Sequence, residues 1–204
     1  MRAYCMKLAI LFALQGLFSP SLLAQQKASS PGRLVPADDG KSFLHKPSKS
    51  VFTPPAGWKT GSPEVSGDID YLSVRKVIDV QNGKTIEVTI SWSPMPLALD
   101  EFAKIEQDVL SKLYGEKEEK QDGTTRKVPV VKEREPVKAG DRNGFRIRID
   151  DDPDRNRPDA GVIYLFEVGS GKDRYKLRIR ATFPARDRNE FEKQTEALLQ
   201  AFKF

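Results

Sequence analysis

The residue types that carry most protein chemistry are scarce in this chain. Its 204 residues include one cysteine, Cys5, and one histidine, His45. A Ser–His or Cys–His pair needs an imidazole held beside the nucleophile, and a structural zinc site needs several Cys or His ligands. His45 stands in a polar stretch and reads as a residue without partners, which sets those chemistries aside. Paired carboxylates are the remaining route to hydrolysis, and they require an apolar cleft that drives the two pKa values apart. No pattern here suggests one, so a carboxylate-dependent hydrolase is only the fallback and a non-enzyme is the expectation. Gly169-Ser170-Gly171 fits a hairpin better than a phosphate-cradling loop.

The densest polar cluster runs from Asp150 to Asp159. Asp150, Asp152, Asp154 and Asn156 alternate as in a calcium loop, where oxygen ligands at every second position converge on one hard cation. The match then fails. Arg155 stands where such a loop needs glycine, and Gly161 stands where its bidentate glutamate belongs. Pro153 and Pro158 stiffen the segment, and Arg155 and Arg157 can neutralise it. A solvated loop is the leading reading, with a calcium site as the alternative and no other cofactor implied.

A second set of candidates is basic. Phe145-Arg146-Ile147-Arg148-Ile149 and Arg174 to Phe183 both alternate apolar with basic residues. Strand side chains point to opposite faces with period two. Arg146, Arg148, Lys176, Arg178 and Arg180 would therefore share one side of a sheet if both strands alternate in phase. Guanidinium forks bind carboxylate, sulfate and phosphate groups. Such a face could dock an acidic protein, an anionic glycan or a lipid headgroup. The plainer reading is the polar outer face of a half-exposed antiparallel sheet, with Glu167 pairing against it.

The elements that must position these residues are legible. Gly144 to Phe204 reads as three strands and a terminal helix, the last two strands joined through Gly169 to Asp173. The helix spans about Arg188 to Phe202, with a capping-box-like start at Asp187 and Glu190. Phe191, Leu198, Leu199 and Phe202 form its apolar stripe. Upstream, Asn82-Gly83 between β-branched runs predicts a hairpin. A three-residue loop there aligns Ile78 with Val88 and Val80 with Ile86, which collects apolar residues on one face. A second helix is expected from Asp100 as N-cap to Gly115, with Phe102, Ile105, Val109 and Leu113 as its buried stripe. Glu116 to Lys127 reads as a charged mobile loop, and Val128 to Val131 as a short edge strand.

Composition supplies the address. Residues 1–24 have the layout of a secretory signal peptide: Arg2 and Lys7, then an apolar run from Leu8 to Phe18, then a cleavage region ending at Ala24. Cys5 lies too far from that cut to anchor a lipid, so the expected product is a cysteine-free, exported, soluble chain and not a lipoprotein. Gln25 to Ser50, rich in Ser, Pro and Lys, is expected to be a flexible tether. One α+β domain is expected over 51–204. The whole chain carries 34 basic and 29 acidic residues. That mild excess argues against nucleic acid as a partner.

The order and spacing of these features resembles the PsbP-like family, which includes photosystem II accessory proteins and many bacterial secreted proteins. The resemblance rests on Phe52-Thr53-Pro54-Pro55-Ala56-Gly57-Trp58, the Asn82-Gly83 hairpin, the helix from Asp100, Gly140 to Phe145, the last hairpin and the terminal helix. It implies an antiparallel sheet sandwiched between helices, an α/β/α layering used mainly for non-enzymatic binding or assembly. Nothing in the residues points to photosynthesis. The expected function is thus an exported, non-catalytic module working by protein–protein contact with an envelope or extracellular protein. The alternatives are binding of an anionic polymer or lipid headgroup through the basic face, and binding of calcium through the aspartate loop.

Overall fold

A computed structural model describes residues 32–121, 123–150 and 159–204. In chain order the elements are β1 (Leu34–Pro36), β2 (Phe43–His45), β3 (Ser50–Phe52), β4 (Trp58–Thr60), β5 (Glu64–Ser66), β6 (Ile69–Asp79), β7 (Lys84–Pro94), α1 (Leu99–Tyr114), β8 (Glu116–Gln121) and β9 (Thr124–Pro129). They continue with β10 (Glu135–Ala139), β11 (Arg142–Ile149), β12 (Asp159–Val168), β13 (Tyr175–Pro184), α2 (Arg188–Leu199) and β14 (Phe202–Lys203). The main sheet has the order β10-β11-β12-β13-β7-β6-β4, with β5 attached to β6. A four-stranded sheet, β1-β2-β3-β14, and the β8-β9 ribbon complete the fold, and all pairings are antiparallel.

Two apolar layers flank the main sheet. On one face Leu72, Val88, Ile90, Tyr164, Phe166, Leu177 and Ile179 meet Phe191 and Leu198 of α2 and Phe52 and Phe202 of the four-stranded sheet. On the other, Ile147, Ile149, Ile163 and Leu165 meet Ala103 and Leu110 of α1. Burying these side chains is the main source of stability in a chain with no disulfide available.

Several expectations are corrected here. The class is not a helix-flanked sandwich: strands dominate and fall into three sheets, with only two α-helices among the described residues. The four-stranded sheet shares with α2 the layer that a helical sandwich would fill with helices. Residues 33–50, assigned by composition to a tether, carry β1, β2 and the start of β3, and they belong to the same compact unit as the rest of 33–204. Leu34, His45 and Ser50 are buried there, and three-residue strands are too short to show a period. Of the stretch expected as a loop, 116–121 and 124–127 are strand residues of the β8-β9 ribbon, and Gly123 between them has φ 78°. The signal-peptide segment lies outside the described residues.

The β6-β7 hairpin forms where Asn-Gly predicts it, but with another register. Val74 faces Val88, Lys76 faces Ile86, and a bulge between Val77 and Asp79 takes Ile78 out of line. The Asp79 carboxylate accepts the Gln81 and Asn82 backbone N–H groups, at 2.9 and 3.2 Å, and the Asn82 amide at 2.6 Å. That local turn closes the loop at Asp79 and Lys84 and leaves Val80 85% exposed.

Helix α1 is rotated from the predicted orientation. It packs through Leu99, Ala103, Leu110 and Tyr114, the small Ala103 allowing close approach to β11 and β12. Ile105, Val109 and Leu113 are left 45%, 57% and 68% exposed. Asp100 lies inside the first turn and pairs with Arg134 at 3.0 Å rather than capping. In α2, Asp187 and Glu190 both bind Lys84 on β7, so the expected capping box is replaced by a tertiary ion cluster.

Candidate functional site

The one histidine does have partners. It ends β2, and the turn from 46 to 49, with Lys49 at φ 58°, brings Ser48 and Ser50 back beside it. Ser48 Oγ lies 2.7 Å from His45 Nδ1, and Asp70 Oδ2 lies 3.3 Å from Nε2. Ser48 Oγ is also 2.9 Å from Ser50 Oγ, which accepts the Trp92 indole N–H at 3.0 Å. One set of protons satisfies the whole chain: Trp92 donates to Ser50, Ser50 to Ser48, Ser48 to Nδ1, and Nε2–H to Asp70. The imidazole stacks on Trp92 at 5.5 Å and meets the Tyr175 ring edge-on at 4.7 Å. Arg33 Nε, 2.9 Å from Asp70 Oδ2, neutralises the buried carboxylate.

This is a Ser–His–Asp sequence of contacts in a place where it cannot act. His45 and Asp70 are fully buried and Ser48 is 6% exposed. The seryl oxygen points into the hydrogen-bond chain and not at a cleft, so no carbonyl carbon can reach it. Burial pushes the His45 pKa down, against the opposing charge of Asp70. The cluster is a clasp that ties β2 and β3 to β6, β7 and β13.

The five basic residues do not share a face. Strand β12 separates the two basic strands, and its register sets Arg146 opposite Tyr164 and Tyr164 opposite Ile179, while Leu165 faces Arg178. Arg146 and Arg148 therefore lie on the α2 side. There Arg146 binds Glu135 at 2.6 Å and Glu196 at 2.7 Å, and Arg148 binds Glu135 at 3.2 Å and Glu192 at 3.3 Å. These cations are neutralised within the fold. Burial, with Glu196 nearby, raises the pKa of Tyr164, whose hydroxyl is 3.5 Å from the Glu196 carboxylate.

Of the aspartate set, Asp150 is bound by Lys132 at 2.9 Å and Arg188 at 2.6 Å. Burial opposes its ionisation, but the two cations outweigh that and hold its pKa below 3.8. Asp152, Asp154 and Asn156 lie outside the described residues. Among the described residues no group of three or more His, Cys, Asp or Glu is placed to hold a metal ion.

Lys176, Arg178 and Arg180 remain together, on the α1 side of β13. Arg178 binds Glu106 at 2.7 Å, and Lys176 Nζ sits 4.0 Å above the Phe102 ring, 3.9 Å from Glu106. Burial, with Arg178 nearby, pushes the Lys176 pKa down, against the pull of Glu106. Arg180 donates to the Tyr114 hydroxyl at 3.3 Å. Helix α1 covers β11 and β12 and its flank reaches β13, while Ser73, Arg75, Glu87 and Thr89 beyond it are exposed among the described residues. Strand register adds Ser91, Thr89 and Glu87 of β7 opposite Arg178, Arg180 and Thr182. It then adds Ser73 and Arg75 of β6, and Lys59 of β4 opposite Arg75. Lys59, Ser73, Arg75, Glu87 and Thr89 line an open hollow of about 450 Å³.

On β13, β7, β6 and β4 this face carries five cations (Lys59, Arg75, Lys176, Arg178, Arg180) and one carboxylate, Glu87. Glu106 enters from α1, and Glu64 of β5 stands at the outer corner beside Tyr71. Lys59, Arg75 and Arg180 form no ion pair among the described residues, so the face is equipped to bind anions. Lys59 and Arg75 escape a reading of strands one at a time. The alternation of Leu72 and Val74 with Ser73 and Arg75 is visible, but pairing alone sets that face beside β13.

No family model matches the chain, and no curated protein matches it by sequence. Solved structures do match. Cyanobacterial PsbP (CyanoP) from Synechocystis sp. PCC 6803 aligns at 9% identity with a TM-score of 0.41, over 79% of this chain and 90% of that one. LpqN, involved in cell envelope biogenesis of Mycobacterium tuberculosis, aligns at 10% identity with a TM-score of 0.51, over 76% of this chain and 82% of that one. At that identity, what this chain has in common with LpqN is a fold.

Proposed function

We propose that this chain is a non-catalytic binding module that works by protein–protein contact through the open face of the main sheet, in the envelope or outside the cell that exports it. The carrying observation is the α1-side face beyond β12, where among the described residues five cations from three strands meet few carboxylates. A solvent-facing sheet balances its charges when it has only solubility to serve. The signal-peptide layout of residues 1–24 supports export, and the involvement of LpqN in cell envelope biogenesis agrees with that address. The buried clasp around His45 supplies no accessible nucleophile, which favours binding over turnover.

Photo-crosslinking in the producing cell tests this reading. A benzophenone side chain at Ser73, on the floor of the face, should trap a discrete protein. The same probe at Lys193, exposed on α2 across the sheet, should not. Equal capture from both positions, or capture at Ser73 that persists in Arg75→Gln/Arg180→Gln, would sink it.

A further inference from the structure

The open face has a wall as well as a floor. Helix α1 runs along β13, with Phe102 at Lys176, Glu106 at Arg178 and Tyr114 at Arg180. Val109 and Leu113 follow Phe102 on the flank turned toward β7, and Ile105 lies at the rim. These three aliphatic residues of α1 are left 45–68% exposed. Wall and floor together would make a groove of aliphatic side chains over cations and hydroxyls, with the hollow lined by Lys59, Ser73, Arg75, Glu87 and Thr89 at its outer side. From Phe102 to Leu113 the wall extends for roughly 17 Å at 1.5 Å per residue. That matches about five residues of extended chain.

We propose that the groove takes an extended acidic segment of a partner protein, with alternate aliphatic side chains. This rests on the binding-module reading above and names the chemistry of the partner. Acidic side chains on one face of such a strand would meet Arg75, Arg180 and Lys59, which form no ion pair among the described residues. Alternate aliphatic side chains would cover Val109 and Leu113, and Ser73, Thr89 and Thr182 can hydrogen-bond the backbone. The geometry disfavours other anions. A membrane surface cannot touch wall and floor together, because the floor lies about one helix diameter, ~10 Å, below the helix crest. An anionic glycan would engage the cations but leave Val109 and Leu113 uncovered.

The test uses fluorescein-labelled peptides of about six residues, matched to the groove length, read by anisotropy on the full exported chain. One peptide alternates glutamate with leucine, a second glutamate with serine, and a third lysine with leucine. Phosphatidylglycerol vesicles and heparin serve as the non-peptide anions. The glutamate–leucine peptide should bind, weaken as salt rises, and exceed the other two peptides by about tenfold or more. Arg75→Gln/Arg180→Gln and Val109→Ser/Leu113→Ser should each weaken it by about tenfold. All four positions are at least partly exposed, so the variants should keep the wild-type Tm, and the salt dependence of the unaltered chain stands as a second measure.

Equal binding of the glutamate–serine peptide would overturn the role of the wall, and equal binding of the lysine–leucine peptide that of the floor. Binding to vesicles or heparin but to none of the peptides would overturn the proposal outright. Failure of every probe, with crosslinking at Ser73 intact, would reject this partner chemistry and leave the binding-module reading standing. Loss of the Ser73 crosslink would remove both.

Discussion

Truncating His45 to alanine tests whether residues 33–50 belong to the folded body. The imidazole is buried against Trp92 and Tyr175 and closes the hydrogen-bond chain between Ser48 and Asp70. Its removal leaves the Ser48 hydroxyl and the Asp70 carboxylate each short of a partner, at about 1–3 kcal/mol per unsatisfied buried group. Lost ring contacts and the remaining cavity add to the cost, while Arg33 beside Asp70 offsets part of it. The expected loss is about 3–4 kcal/mol, or roughly 10 °C in Tm for a domain of this size. Urea denaturation near pH ~7.5, above the ordinary imidazole pKa, measures it. The pH dependence gives a second readout. The folded-state pKa lies below the ordinary 6.5. Below 6.5 the unfolded chain takes up a proton that the folded chain refuses. Stability therefore falls as pH drops from about 6.5 toward the folded-state pKa and levels off beneath it. One group can tilt the curve by at most about 1.4 kcal/mol per pH unit, and His45→Ala should remove that tilt. A variant within about 0.5 kcal/mol of wild type, with an unchanged slope, would refute the reasoning and return His45 to a solvated tether.

Three further outcomes follow from the packing. Leu110→Ala should cost about 2–4 kcal/mol in chemical denaturation, and Leu113→Ala less than about 0.5 kcal/mol; equal costs would mean that α1 is rotated back to the predicted stripe. Gly144→Ala would place a Cβ against the Leu165 carbonyl and the Phe166 ring, so a loss of about 1–3 kcal/mol is expected, and a neutral result would contradict the β11-β12 register. For Glu135, the Arg146 hydrogen bond, with Arg148 nearby, holds the pKa below 4.5 against the effect of burial. Its contribution is present above pH 4.5 and lost as pH falls through the folded-state value. Because the carboxylate is 44% exposed, Glu135→Gln should cost no more than about 1 kcal/mol at neutral pH.

What the sequence made legible was local. Asn82-Gly83 predicted a hairpin because few dipeptides adopt that turn so readily, and Phe145 to Ile149 and Arg174 to Phe183 predicted strands because they alternate apolar with basic residues. Failures came where a short segment or a single side chain overrode the pattern. The strands around Leu34 and His45 are three residues each, so composition dominated and read tether. The register after Val77 was decided by Asp79, whose carboxylate binds the turn backbone, and not by the apolar residues at Ile78 and Val80. In α1 the longest apolar repeat named the wrong face, because Ala103 contributes little to a hydrophobic stripe yet permits the closest approach to the sheet.

The candidate site shows the same limit at larger scale. Arg146, Arg148, Lys176, Arg178 and Arg180 look like one set, since each strand alternates cleanly. Whether they meet depends on a strand that carries none of them. A one-residue slip in either pairing of β12 would place all five on one face. In the observed register two go to the α2 side, where Glu135, Glu192 and Glu196 absorb them, and three go to the open side, where Arg75 and Lys59 join them. The helix tells a complementary story, because the stripe that read as core is the wall of the groove. Exposed aliphatics cost solubility, and cations with no ion pair among the described residues add little to the fold, so a partner that is both acidic and apolar would account for both features together.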